Sequence, residues 1–219
     1  MTRRERREQM RQQQGRRPHA PATRHPRRIP GIWIGFGIIV VAVALLLGAQ
    51  ALGVFAPGAP PVDLKAARYD PQNEVIGSQL PDEGNAHIPA GQKATYGTTP
   101  PTSGSHWNQS GAAPVPWGIK DTTLPDEAIV HNLEHGGVVV FYKGLTADET
   151  SKLKDLVRVL TNNGFPKIVL EPYPQMQDAR IALSAWRWQL KLPGHDDVQI
   201  VKFVRAHYDG PDAPERGVR

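Results

Sequence analysis

The stretch DEAIVHNLEHGGVVVFY, Asp126 to Tyr142, decides how the chain is built. Asp126 is a residue type that caps helix N-termini, and it predicts a short helix through about His135. Gly136 and Gly137 end that helix, because glycine takes the left-handed conformation of a helix C-cap. Val138 to Tyr142 then reads as a buried strand, a short apolar run without alternation.

Reading outward from there, regular structure continues downstream. Thr146 to Glu149, TADE, is a capping box, with threonine at the cap and glutamate three residues later. Leu153, Leu156, Val157 and Leu160 follow at helical spacing, and Gly164 stops the helix. KIVLEPY and RIALSAWRW read as two more strands. Asp196 caps a last helix whose Ile200, Val201, Val204 and Tyr208 share one face, and Gly210 ends it. Upstream, residues 68–125 are dense in Pro, Gly, Ser and Thr. KATYG is the one strand expected there. PPTSGSHW must be irregular, because its prolines lack the N–H a ladder needs. Helices packed on one sheet, with a loop-rich front, make an α+β domain. No internal repeat is present.

The chain before this domain has a different character. Residues 1–30 carry ten arginines against Glu5 and Glu8, a formal charge of +8. The whole chain is +5, so the other residues sum to −3. The basic pI belongs to the tail, and a nucleic-acid partner is not implied. Gly31 to Phe55 is a run of 25 residues with no charge. It exceeds the roughly 7–15 apolar residues of a signal peptide and reaches the about 20 that span a bilayer. The expectation is a retained single-pass transmembrane helix with its arginine-flanked end in the cytoplasm. The tail then contacts anionic lipid of the cytoplasmic membrane, and the C-terminal domain lies outside the cell membrane. The expected division is a tail at 1–30, a transmembrane helix at 31–55, a Pro-rich extended spacer at 56–74, an outer α+β domain at 75–210 and a C-terminal tail at 211–219.

No cysteine is present, which excludes disulfides, thiolate metal sites and cysteine nucleophiles. The chemistry that remains is imidazole. On a helix His131 and His135 share a face, with Cβ atoms about 5–6 Å apart, close enough to grip one metal ion. His106 sits in PPTSGSHW, with rigid prolines before it and Trp107 after it. His87 lies in GNAHIPAG, and Met176 lies in PYPQMQD between two strands. Three imidazoles and a thioether suit copper, and three imidazoles alone suit zinc or copper. Glu134 can orient a ligand imidazole by accepting its other N–H. Adjacent helical residues diverge by about 100°, so Glu134 serves His131 or His106 rather than His135. His19 and His25 belong to the tail, and His195 and His207 at the ends of the last helix read as surface residues.

HNLEH also fits H-x-x-E-H, in which two histidines bind zinc and the glutamate is the general base. That chemistry uses a long catalytic helix, whereas this one ends at once in Gly-Gly. No G-x-S-x-G elbow accompanies Ser103 or Ser105, so a serine hydrolase is not implied.

PPTSGSHW, LPDEAIVHNLEHGGVVVFY and IALSAWRW, in that order, resemble a bacterial family of single-pass membrane proteins whose outer domain is catalogued only as a domain of unknown function. The resemblance covers about residues 75 to 210. It implies a membrane-tethered outer domain and no established activity. The positions matching the family's signature histidines are His87, His106, His131 and His135, with Glu134 beside the last. Ser105 departs from the proline expected there.

The function expected is transition-metal binding by a membrane-anchored outer domain. His106, His131 and His135 bind one ion, and His87 or Met176 completes the shell. Copper is preferred and zinc comes second, because a cysteine-free domain outside the cytoplasm offers only imidazole and thioether as soft ligands. Two alternatives stand beside it. One is an interaction module with structural histidines, contacting an envelope protein partner through Trp107 and Trp117. The other is a small zinc-dependent hydrolase using HxxEH. Enzyme activity is the less expected outcome.

Overall fold

The computed structural model describes residues 63–218. Val138, Val139, Val140 and Phe141 are all 0% exposed, and this determines the architecture. Side chains alternate across a strand, so a strand buried at successive positions needs cover on both faces. The described elements are β1 (Ser78–Gln79), β2 (His87–Ile88), β3 (His106–Trp107), β4 (Gly118–Ile119), α1 (Asp126–Glu134), β5 (Val138–Tyr142), α2 (Ala147–Asn162), β6 (Ile168–Pro172), β7 (Ile181–Ala185), β8 (Trp188–Leu192) and α3 (Asp197–His207). Six strands form one sheet in the order β1-β8-β7-β5-β6-β4, while β2 and β3 pair separately. β5 is parallel to β6 and antiparallel to β7.

The two faces of β5 meet different partners. Val138 and Val140 pack with Leu153, Leu156, Val157 and Leu160 of α2 and with Ile200, Val201, Phe203 and Val204 of α3. Val139 and Phe141 pack with Ala128, Ile129, Val130 and Leu133 of α1, together with Tyr173 and Met176. The sheet is therefore the middle of three layers, with α2 and α3 on one side and α1 with the front loops on the other.

Local signals explain the helix limits. Thr146 and Glu149 form the reciprocal capping box at α2, and the Asp196 side chain accepts from Gln199 N–H at α3. α1 differs: it starts after Pro125 with no side-chain cap, and Asp126 is its first residue rather than its cap. Asp126 and Glu127 sit in its first turn, where the helix dipole favours negative charge. The Gly-Gly stop has two causes. Gly136 has φ 78°, and a Cβ on Gly137 would lie 2.5 Å from the Trp117 ring.

The expected fold class, a transmembrane helix followed by an α+β domain with its helices on one sheet, is corrected. The described residues form a mixed α+β domain whose helices divide over both faces. No helix among them is long and apolar enough to cross a membrane. They have 9, 16 and 11 residues, and at 1.5 Å per residue even the longest spans about 24 Å, short of the roughly 30 Å hydrocarbon core. The run at residues 31–55, the tail at 1–30 and their histidines lie outside the described residues. RIALSAWRW is two strands rather than one: β7 and β8 form a hairpin that turns at Trp186 and Arg187, and Arg187 has φ 63°. KATYG forms no strand. Leu64 and the buried Ala67 pack on the α2–α3 core, so that part of the expected spacer belongs to the domain.

Three contacts fasten the front loops to the α1 side. The Arg187 N–H donates to the Thr102 carbonyl at 2.9 Å. The Gln189 side-chain amide donates to the Pro100 carbonyl at 2.8 Å. Asn132, fully buried on α1, clamps Val115 by accepting from its N–H at 2.9 Å and donating to its carbonyl at 2.8 Å. Thr102 and Ser103 are buried as a result.

Candidate functional site

The end of α1 that carries Gly-Gly is where the histidines meet. His131 lies on the last turn and His135 is the C-cap residue. β2 and β3 pair in parallel with His87 opposite His106, and β3 lies against α1. Ring centroids are 4.9 Å apart for His87 and His106, 5.1 Å for His106 and His131, 5.8 Å for His87 and His131, and 4.6 Å for His131 and His135. The fold thus gathers His87, His106, His131 and His135 into one contiguous group. Met176 lies elsewhere. It is 0% exposed in the apolar layer and follows Tyr173, whose hydroxyl donates to Asp126. Asp126 begins α1, so Met176 belongs to the end of the helix opposite His135, a helix about 13 Å long.

The four rings divide into two sets, each with its own carboxylate. The ligating atoms of His87, His106 and Glu134 lie within 4.8 Å of one another, and so do those of His131, His135 and Glu215. In the first set, Glu134 Oε2 is 2.8 Å from His106 Nε2 and 3.3 Å from His87 Nε2. Its Oε1 accepts from Asn85 Nδ2 at 3.1 Å. His106 is 0% exposed and its Nδ1 faces the Gly104 carbonyl at 2.9 Å. Both ring nitrogens of His106 therefore face acceptors. The Nδ1–H donates to the Gly104 carbonyl, which turns Nε2 to the Glu134 carboxylate. The Glu134 carboxyl sits below its ordinary range. Burial alone would raise it, but the His106 charge and the hydrogen bonds from His87, His106 and Asn85 outweigh that. His87 is the accessible member, 42% exposed, and its Nδ1 lies 3.0 Å from the Asn108 side-chain amide.

In the second set, His131 Nδ1–H donates to the Trp107 carbonyl. This leaves His131 Nε2 as a lone pair, 3.1 Å from His135 Nε2. His135 Nε2 is also 3.1 Å from Glu215 Oε2. Burial lowers the affinity of His131 for a second proton, partly offset by its bond to Trp107.

Glu134 faces His106 and His87 and not the pair that flanks it in sequence. Asn85, Asn108 and Glu215 were missed by the sequence reading. Asn85 and Asn108 stand two residues from His87 and His106, a spacing that carries meaning only once β2 and β3 are paired. Glu215 lies in the segment read as a C-terminal tail, yet its N–H donates to the Glu134 carbonyl at 3.0 Å and Ala213 beside it is buried. His195 and His207, read as surface residues, are both packed. His195 pairs with Asp197. His207 stacks on Trp188 with centroids 4.4 Å apart and bonds to the Ile76 carbonyl.

Fold and site together define a three-layer α+β domain that collects histidines and glutamates from paired front loops, one helix end and a C-terminal strap. The chain belongs to the family described as Protein of unknown function (DUF3105), which matches residues 87–219. The matched region begins at His87 and contains both His/Glu sets. No curated protein and no solved structure matches the chain.

Proposed function

We propose that the domain binds a divalent transition-metal ion through His87, His106 and Glu134. The orientation of the rings carries this reading. His87 and His106 both turn Nε2 towards the same Glu134 oxygen and rest Nδ1 on an outer partner, the Asn108 amide and the Gly104 carbonyl. For His106 this is the arrangement of a metal-binding histidine, whose Nδ1–H, held by a carbonyl, leaves Nε2 to the ion. His87 Nδ1 accepts from the Asn108 amide, so His87 binds through Nε2 once its proton moves to Nδ1 and the Asn108 amide turns its oxygen to it.

Spacing supports the same reading. With bonds of about 2.0–2.2 Å, two ligand atoms on a tetrahedral ion stand about 3.4 Å apart. The 3.3 Å between His87 and Glu134 is of that size, and His106, at 2.8 Å, has only to recede by a few tenths of an ångström. The ion enters past His87, the exposed ligand.

The preference for copper changes form. A thioether would favour Cu(I), but Met176 is at the far end of α1. Two imidazoles and a carboxylate suit Cu(II) and Zn(II), with Cu(II) the tighter. Hydrolysis by the HxxEH scheme is disfavoured, because Glu134 turns to His106 and His87 and not to the His131–His135 pair whose ion would activate the water.

Calorimetric titration of the chelator-stripped full chain with Zn(II) and Cu(II) tests this. Asn85→Ala, which removes the donor that orients Glu134, should weaken binding roughly 10–100-fold, the usual effect of losing an outer partner. His87→Ala, which removes a ligand, should weaken it more, and His195→Ala should leave it unchanged. If His87→Ala and Glu134→Gln bind both ions as tightly as the parent, the reading is wrong.

A further inference from the structure

We infer that the domain holds a second divalent ion at His131, His135 and Glu215, and that this ion fastens the C-terminal strap, residues 214–218, to the end of α1. The inference rests on the metal-binding reading above and adds a site, a stoichiometry and a moving part to it.

The argument begins with a shortage of protons. In the first set Glu134 Oε2 has two ring nitrogens within hydrogen-bond distance, and its Oε1 accepts from Asn85. In the second set His131 has its proton on Nδ1, held by the Trp107 carbonyl, so its Nε2 is a lone pair. His135 Nε2 brings at most one hydrogen, yet it stands 3.1 Å from that lone pair and 3.1 Å from a carboxylate oxygen. One N–H cannot serve both acceptors along straight bonds. Three electron-rich atoms converge with one proton between them, and a cation answers all three.

Two further features favour an ion there. The set lies at the C-terminal end of α1, where the helix dipole attracts positive charge. Its atoms are distinct from those of the first set, so the two ions do not compete for a ligand. Glu215, 45% exposed, gives solvent access.

The strap follows from what else holds Glu215. Its N–H donates to the Glu134 carbonyl at 3.0 Å, and Gly217 N–H donates to Asp209 Oδ1 at 3.1 Å. Beside them Lys167 Nζ reaches the exposed residues 214–218, donating to the Val218 carbonyl at 3.3 Å, whereas Ala213 before them is buried and Asp212 accepts from Trp188 Nε1 at 2.7 Å. An ion shared between α1 and Glu215 adds a tether that has to be released before the strap lifts. Arg216, exposed on the strap, is a tryptic site that reports the lifting.

The experiment uses the full chain, stripped with chelator and returned to zinc. Bound zinc is counted after dialysis, and tryptic cleavage at Arg216 is timed with and without the metal. The parent should bind two ions. At a free zinc concentration ten times Kd, cleavage should slow roughly tenfold, because the open population falls in proportion to site occupancy. Glu215→Gln, a shape-preserving change at an exposed position, should bind one ion and lose the protection. His87→Ala should also bind one ion but keep the protection. One ion in the parent, or two in Glu215→Gln with unchanged protection, overturns the second site and leaves the first. No ion in the parent overturns both.

Discussion

Glu171 offers a quantitative test of how the α1 side of the sheet is packed. It lies on β6 opposite Phe141, is 0% exposed, and points at the start of α1. One oxygen accepts from Leu124 N–H at 2.9 Å, and the other has no partner among the described residues. Burial pushes its carboxyl up from 4.5 to about 8, the Leu124 bond opposes the rise, and the nearby Asp126 adds to it. The folded state therefore holds Glu171 protonated where the unfolded chain has it ionised. Between about pH 4.5 and 8 the unfolded state binds fewer protons, so stability falls as pH rises. It is fully present below 4.5 and lost by 8. At about 1.36 kcal/mol per pH unit the effect is on the order of 5 kcal/mol. His131 and His207 are both displaced downward, chiefly by burial, and act in the opposite direction, weakening the fold as pH drops below their ordinary 6.5. The difference between parent and Glu171→Gln removes their contribution. Urea unfolding across the window should show the parent losing several kcal/mol relative to the variant as pH rises. A gap that stays constant to within about 0.5 kcal/mol would refute the argument that burial holds this carboxyl neutral.

Two other changes probe the scaffold. Asn132→Ala leaves the N–H and carbonyl of Val115 without their clamp and should cost about 2–4 kcal/mol in denaturant unfolding. The same variant should loosen the loops before α1, read as faster amide exchange there. Gly137→Ala puts a Cβ 2.5 Å from the Trp117 ring and 2.8 Å from the Asn132 carbonyl. A destabilisation of roughly 1–3 kcal/mol is expected from such overpacking, measured by thermal melting.

The back half of this fold was legible in sequence because its signals are local. A capping box, an apolar stripe at helical spacing and a run of valines each specify their own element. The hairpin of β7 and β8 was misread as one strand because its turn, Trp186 and Arg187, carries neither glycine nor proline. Arg187 takes the left-handed conformation and is held there by Thr102, a contact no window of sequence contains. The division of helices over both faces follows from the complete burial of Val138 to Phe141, which the apolar run did announce. Of the site, the four histidines were visible as residue types. Their sorting into two sets was not, since it depends on the pairing of His87 with His106 across the front loops. Glu215 stood in a stretch that reads as a solvated tail, and only folding against the Glu134 carbonyl gives it a role.

The clamp on the front loops sets the order in which the molecule can be completed. Thr102 is held by Arg187, and Pro100 by Gln189, which lies 89 residues further on. A ribosome adding roughly 5–20 residues per second delivers that partner about 4–18 s after the loop has emerged. During this interval β5, α2 and β6 can already pair and pack, and the loop bearing His106 can meet α1 but lacks its two anchors on the hairpin. His87 and His106 are thus among the first histidines of the domain to be synthesised, and their loop is fully fastened only once the hairpin is made. An ion taken up before the hairpin closes would sit in a loop anchored on α1 alone.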